Sequence, residues 1–377
     1  MIIQSRQIWI RDQFVKAQIE MNDGHIIHLF DYGEKQPDQD YGDACILPGF
    51  IDIHTHGAYG YDTLQADITG LKHWQKQLLK EGVTGFLPTL AAASVDNMRS
   101  SLDTVRKAVN DQNGARILGV HLEGPYLNPD YAGAQDRQYI RRPEITEFEE
   151  LYRDYGDLIR IVTVAPEMDT EHTLICFCRD RGIIVSAGHS AANYAEIQKA
   201  VKDGVSSITH TFNRQSPFHH REIGVSGAAL RMHDLPSEII ADGLHVSPDA
   251  LHIFYHAKSI SAPVMVSDSL SCKGLPAGEY LFGDQIVTLK DNGAAYLKDT
   301  DTLAGSTLKF NEGLRRLIRD CEVDPVKAIR SCTVNPAQLL KEDDHLGSIE
   351  ISHDADLVIL DQQFEVIHTW CKGILSE

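Results

Sequence analysis

Apolar and polar residues along the chain follow three successive patterns. Up to about residue 47 they alternate over short runs, Gln7–Ile10, Gln13–Met21 and His25–Phe30, with a hairpin-type turn at Asn22-Asp23-Gly24. A period of two puts successive side chains on opposite faces, so these runs predict strands. A polar connection from Asp31 to Tyr41 follows them. An all-β piece this small cannot bury a core by itself.

From Cys45 onward, short apolar runs alternate with amphipathic stretches. The runs predict eight strands: Ile46–Ile53, Gly85–Leu90, Ile117–Leu122, Leu158–Val164, Ile183–Ala187, Ser206–Thr209, Ser237–Ala241 and Pro263–Ser267. Between them the spacing predicts helices such as Gly70–Glu81, Val95–Asn110, Thr170–Arg181, Ala192–Lys202 and Pro248–Lys258. Eight β/α units over roughly 220 residues predict an α/β fold of the TIM-type (β/α)8 barrel class. A doubly wound sheet is the alternative, but no Gly-x-Gly-x-x-Gly turn follows a predicted strand.

Past the eighth strand the alternation breaks. Tyr280–Leu297, with Asp291-Asn-Gly293, predicts an inserted hairpin, and helices are expected at Leu308–Cys321 and Pro325–Leu340. The tail returns to strands at Asp356–Leu360 and Glu365–Trp370. The expected organisation is a barrel over residues 48–345 beside a small β-sandwich domain built from 1–47 and 346–377.

Composition narrows the class. An apolar share of 42% is ample for a core. No run approaches ~18 apolar residues, so no membrane span is expected. The N-terminus lacks a basic region followed by an apolar core, so no secretory signal is expected. The seven cysteines are scattered and odd in number. Cys176 and Cys178 are too close for an ordinary bridge, so reduced thiols in a cytoplasmic protein are expected. A net charge of −19 argues against nucleic acid or an anionic membrane as partner. An anionic small molecule would need a local basic cluster.

Candidate chemistry gathers where the predicted strands end. His54 and His56 close the first apolar run two residues apart, so both imidazoles reach one point in space. Imidazole suits zinc, iron, cobalt or manganese. Alone, a His-x-His is weak evidence. Further along, Glu123, His189, His210 and Asp268 fall at other strand ends, and His245 lies just beyond the seventh. Each singly has a bland explanation: a loop histidine, an acid at a helix start, a cap. Their joint placement is much harder to ascribe to chance. Four histidines (54, 56, 189 and 210) with one carboxylate can hold one or two divalent ions and leave a position open for water. Asp268, not consumed as a ligand, can take a proton from that water and return it to a leaving amine. His121 shares Glu123's strand face and is a weaker ligand candidate. Trp74 and Trp370 read as packing, His219-His220 as a solvated loop pair, and Asp242 as a cap or orienting group for His245.

These residues lie in a set of motifs: Pro48-Gly-Phe-Ile-Asp-Ile-His-Thr-His-Gly57, His121-Leu-Glu-Gly-Pro-Tyr-Leu-Asn128, Gly133-Ala-Gln135, Gly188-His-Ser190, Thr209-His210, His220-Arg-Glu222, Ala241-Asp-Gly-Leu-His245, Ser267-Asp268 and Leu303-Ala-Gly-Ser-Thr307. Over nearly its whole length the chain resembles the amidohydrolase superfamily and, within it, the N-acetylglucosamine-6-phosphate deacetylase family. His-x-His marks only the superfamily; the other motifs are much more specific.

The resemblance implies a role for each residue. Glu123, His189 and His210 would bind the metal common to the family, and His54 with His56 a second ion found in some members. Zinc is the expected metal, with iron, manganese or cobalt as alternatives. Asp268 would be the general base and acid, and Gln135 would face the acetyl carbonyl. Asn213 and His245 would grip a sugar phosphate. Arg221 would reach the adjacent subunit's site, which implies a homodimer. Hydantoinase and dihydroorotase relatives bridge two metals with a carboxylated lysine on the fourth strand. Here Gly124 through Gly188 contains no lysine, and Glu123 is the natural substitute.

The chain departs from the family at the phosphate end. Arg214 stands where a small residue is usual, in His210-Thr-Phe-Asn-Arg-Gln215, and Arg-Glu-Pro-Gly has become Arg221-Glu-Ile-Gly224. The expected reaction is hydrolysis of the acetamide of N-acetylglucosamine 6-phosphate. Alternatives are the N-acetylgalactosamine epimer, another amide or a deaminase substrate, and a non-enzymatic homologue. The last predicts lost ligands, and this chain keeps them all.

Overall fold

The computed structural model describes residues 1–110 and 113–376. The last residue of the expected second domain, Glu377, lies outside them. Eight parallel strands form the barrel: β1 (Phe50–Thr55), β2 (Val83–Leu90), β3 (Val120–Glu123), β4 (Ile159–Val164), β5 (Ile184–Ala187), β6 (Val205–Ile208), β7 (Ser237–Ile240) and β8 (Pro263–Val266). Each pairs with the next from β1 to β8. Just past β8, the Asp268 N–H donates to the His54 carbonyl at 2.8 Å and joins the last strand back to β1. Nearby, the Ser267 hydroxyl donates to the Asp52 carboxylate at 2.5 Å. Burial pushes the Asp52 carboxyl up to about 6, against the hydrogen bonds from Ser267 and the charge of Lys273.

The strands are short, apolar and buried, as strands covered on both faces should be. Ile51, Ile53, Leu87, Ile161, Ile184, Ile240, Val264 and Val266 form one cluster, closed by Ala337 and Leu340 of a C-terminal helix. A larger cluster joins the strands to the surrounding helices through Trp74, Phe86, Leu102, Phe148, Ile197, Phe254 and Leu314. Helix starts follow capping rules. Asp67, Ser94, Asn193 and Ser247 each accept a hydrogen bond from a first-turn N–H.

Head and tail of the chain share one sheet, as expected. Its order is Ile374–Leu375, Val366–Cys371, Leu357–Leu360, Cys45–Pro48, Ile2–Ile10, Gln13–Asn22, His25–Asp31, with Gln39–Asp40 also against Ile2–Ile10. Ile3, Ile8, Ile19, Ile26, Ile46, Leu357, Ile359 and Trp370 pack together in its core. Arg116, beside the barrel, forms ion pairs with Asp354 and Asp356 of the tail.

Four elements differ from the sequence pattern. The expected strand Ile117–Leu122 is two pieces, Arg116–Ile117 and Val120–Glu123, both paired with β2. The expected strand Ile46–Ile53 breaks at Gly49 and serves two sheets, Cys45–Pro48 in the terminal sheet and Phe50–Thr55 in the barrel. A side chain at Gly49 would come within 2.2 Å of Thr84 Oγ1, so only glycine lets the two strands diverge there. The expected helix Pro325–Leu340 is two helices, Pro325–Cys332 and Val334–Leu340, which part at Thr333. Pro336 lies in the first turn of the second, where its missing N–H costs nothing. The expected hairpin has a third strand, giving Gly278–Phe282, Gln285–Leu289 and Ala295–Leu297.

Candidate metal centre

The barrel's topology sends the candidate residues to one end. His54 lies on β1 and His56 just past it; Glu123 ends β3; His189, His210 and Asp268 each lie two residues beyond β5, β6 and β8. The last three turn with left-handed backbone, at φ 48°, 25° and 48°. Non-glycine residues rarely adopt this region, and functional sites are where such strain concentrates.

Glu123 is the hub. Its Oε1 lies 2.8 Å from His210 Nε2, 3.1 Å from His189 Nε2 and 3.3 Å from His54 Nε2. Its Oε2 lies 3.2 Å from His56 Nε2. Asp268 Oδ1 stands 3.2 Å from His56 Nε2 and 3.5 Å from His54 Nε2. Two trios therefore meet at one carboxylate. Within Glu123, His189 and His210, and within His54, His56 and Asp268, the potential ligand atoms all lie within 4.8 Å of one another.

Electrostatics keep the acids ionised. Burial alone would raise Glu123, but the His54 and His189 charges and hydrogen bonds with His189 and His210 hold it well below the usual carboxylate range. Burial likewise opposes ionisation of Asp268, and His54 and His56 pull it down. Burial lowers His56, and its hydrogen bonds to Asp268 and Glu123 outweigh that, raising it to about 9. His54 Nε2 is buried without a hydrogen-bond partner. An unpartnered imidazole nitrogen facing two carboxylates, beside three more histidines, suits a divalent metal. His189 is oriented by the hydrogen bond between its Nδ1 and the Tyr131 carbonyl at 2.8 Å. A backbone carbonyl in that position fixes the tautomer that frees Nε2.

His121 is not brought into the ligand set. Its Nδ1 lies 3.2 Å from the Ile53 carbonyl and its Nε2 2.8 Å from Thr163 Oγ1, so both ring nitrogens are engaged. Burial and the neighbouring His54 charge hold it neutral, well below the ordinary imidazole range. The reason is register: β3 directs His121 deeper into the barrel than Glu123.

A cavity of about 430 Å³ opens above the centre, lined by His56, Glu123, Gln135, His189, His210, Asn213, Arg214, His245 and Asp268 among others. Gln135 donates through Nε2 to the Glu123 carboxylate and accepts the Ala92 N–H at 2.6 Å. Asn213 Nδ2 points back to the His210 and Thr211 carbonyls, at 3.3 and 3.4 Å. His245 Nδ1 meets Asp242 Oδ2 at 2.7 Å, so Asp242 orients it. Burial lowers His245, but Asp242's hydrogen bond and charge raise it above the ordinary value. The Arg214 side chain runs across Gly133, where a Cβ would meet its Cγ at 2.8 Å. Burial lowers the Arg214 guanidinium, and it forms no ion pair among the described residues. Arg221 lies on an exposed loop with His219 and His220, its Nη1 2.9 Å from His220 Nε2, and does not line this cavity.

Several groups at the site were not singled out by the sequence pattern. Glu238, on β7, lies 2.8 Å from His54 Nδ1. Phe282 packs edge-on against His56 at 5.1 Å, and Asp130 and Asp301 line the cavity. For Glu238 a signal existed, an acid inside a run predicted to be a buried strand.

Comparison with known proteins gives a consistent result. Residues 45–375 match the model of the amidohydrolase family. The N-acetylglucosamine-6-phosphate deacetylase of Bacillus subtilis is 39% identical over 100% of this chain and 97% of its own length. The Homo sapiens enzyme of the same name is 35% identical over 89% of this chain and 84% of its own. Among solved structures, the Thermotoga maritima deacetylase superposes with a TM-score of 0.90 at 33% identity, covering 100% of this chain and 99% of that one. A Mycobacterium smegmatis point mutant, solved in complex with N-acetyl-D-glucosamine-6-phosphate, superposes with a TM-score of 0.94 at 25% identity over 100% and 99% of the two chains. The chain belongs to the amidohydrolase family.

Proposed function

We propose that the protein hydrolyses the acetamide of N-acetylglucosamine 6-phosphate to acetate and glucosamine 6-phosphate. The single observation that carries this reading is the convergence of Glu123, His189, His210, His54, His56 and Asp268 beneath one cavity, which all of them but His54 line. The names of the full-length relatives supply the substrate.

Glu123, His189 and His210 would hold one divalent ion, and His54 with His56 a second. Zinc fits this donor set best, with iron, manganese or cobalt as alternatives. A bound ion would supply a water of lowered pKa and polarise the acetyl carbonyl. Asp268, ionised and buried, accepts the proton as water adds to that carbonyl. It then delivers the proton to the amine nitrogen as the C–N bond breaks, so one acid serves both halves of the reaction. Gln135, anchored through its Oε1, keeps an amide N–H beside the centre, where it can meet the developing oxyanion.

At the other end of the cavity, His245, Asn213 and Arg214 would hold the 6-phosphate. Arg221 would complete that grip in a second copy, within a homodimer. This division of labour fits a cytoplasmic catabolic enzyme. The same division suggests that residues 1–47 with 346–377 form a supporting domain and residues 48–345 the catalytic one.

The altered Asn213–Gln215 segment leaves one second reading open, the galactosamine epimer as substrate. Acetate release from the two epimeric N-acetylhexosamine 6-phosphates separates them. Faster turnover of the gluco epimer is expected, and preference for the galacto epimer would replace the first reading with the second.

A further inference from the structure

Glu238 is fully buried in the middle of β7, and no step above uses it. A single oxygen, Oε2, receives two contacts: His54 Nδ1 at 2.8 Å and the His210 N–H at 3.2 Å. The other oxygen, Oε1, is buried without a partner. Holding a carboxylate in this state is expensive. The cost is not needed to tie β7 to the loop after β6, because the Thr211 N–H already donates to the Glu238 carbonyl at 2.8 Å.

The geometry accounts for the side chain in another way. Oε2 already accepts the His210 N–H, so it meets His54 as an acceptor and the His54 proton on that side sits on Nδ1. That leaves Nε2, which lies 3.3 and 3.5 Å from Glu123 and Asp268, as the ring atom that would turn its lone pair to a bound ion. The same oxygen holds the main chain of His210 at its left-handed turn, φ 25°. One atom thus sets a member of each trio.

We propose that Glu238 is a positioning residue for the metal centre: it fixes the tautomer and ring orientation of His54 for the second ion. The proposal rests on the reading that His54 and His56 hold an ion. Its effect should appear in metal binding before any turnover is measured. Removing a partner that orients a metal-ligating histidine typically weakens metal affinity by about 10–100-fold.

The test is a zinc titration of metal-stripped protein, with metal analysis, on wild type and variants of the full chain. Wild type should take two ions. Glu238→Leu should keep the first and bind the second about 10–100-fold more weakly. Glu238→Gln, whose amide oxygen can stand where Oε2 stands, should recover the second ion. Combined with His54→Asn, Glu238→Leu should add no further loss, because both act through one ring. Unchanged second-ion affinity in Glu238→Leu, or losses that add in the double variant, would overturn the proposal. If Glu238→Leu does not fold, Glu238→Asp replaces it. Asp keeps the charge but withdraws the oxygen by one methylene, so it should lose the second ion where Gln keeps it. The reverse order would overturn positioning in favour of charge. A wild type that takes only one ion sinks the His54/His56 reading, and the proposal with it.

Discussion

Asp268 and His54 are joined twice. The Asp268 N–H donates to the His54 carbonyl at 2.8 Å, and its carboxylate stands 3.5 Å from the His54 ring. The bond that closes the barrel therefore also sets the proposed base against the centre. A main-chain hydrogen bond to β1 thus holds the acid beside the centre.

Asp268→Asn should accordingly leave the fold and the metal content intact while turnover falls by about 10²–10⁴-fold, the usual worth of a positioned acid–base group. Metal analysis and steady-state kinetics on the same preparation check both halves. Near-wild-type turnover would remove Asp268 from the mechanism.

Phosphate binding should depend on pH through His245. Its imidazole is raised above the ordinary value of about 6.5, because the hydrogen bond and charge of Asp242 outweigh burial. A raised value means the cation persists to higher pH than usual. KM for a phosphorylated substrate should therefore be lowest below that value and rise as pH climbs through it. Asp242→Asn removes the charge, so the rise in KM should begin at lower pH. KM measured against pH for the two proteins decides the matter.

Arg214 is an exposed residue on the cavity wall, with no carboxylate paired to it among the described residues. Arg214→Ala should raise KM for the 6-phosphate by about 10-fold or more, in line with about 1.5–3 kcal/mol for a charged hydrogen bond. It should change kcat little and leave an unphosphorylated substrate unaffected. Parallel kinetics on the two substrates read this out.

Away from the site, Lys273 and Glu81 form a buried pair at 2.9 Å, and Glu81 also receives the Tyr59 hydroxyl at 2.8 Å and the Phe310 N–H at 3.0 Å. Lys273→Met strands the carboxylate and should cost about 3–5 kcal/mol of stability. Denaturant unfolding of the variant measures it.

Most of this site could be read from the chain itself, for a physical reason. A parallel barrel puts strand ends on one rim, so His54, His56, Glu123, His189, His210 and Asp268 are marked by where their apolar runs stop. Glu238 escaped because it sits inside such a run, and its partner His54 lies 184 positions earlier in the chain. The break at Gly49 escaped because one unbroken apolar stretch feeds two sheets. Only the approach of Thr84 reveals it. The engaged state of His121 depends on Thr163, a residue 42 positions away.

Metal-dependent removal of acetate from an amino-sugar 6-phosphate can be followed in one assay. Acetate release is followed from N-acetylglucosamine 6-phosphate and from its unphosphorylated form, with protein as purified, after chelation, and after zinc is restored. The expected result is turnover of the phosphorylated sugar that is lost on chelation, returns with zinc, and far exceeds that of the unphosphorylated sugar. Equal rates on both sugars, or full activity after the metal has been removed, would contradict it.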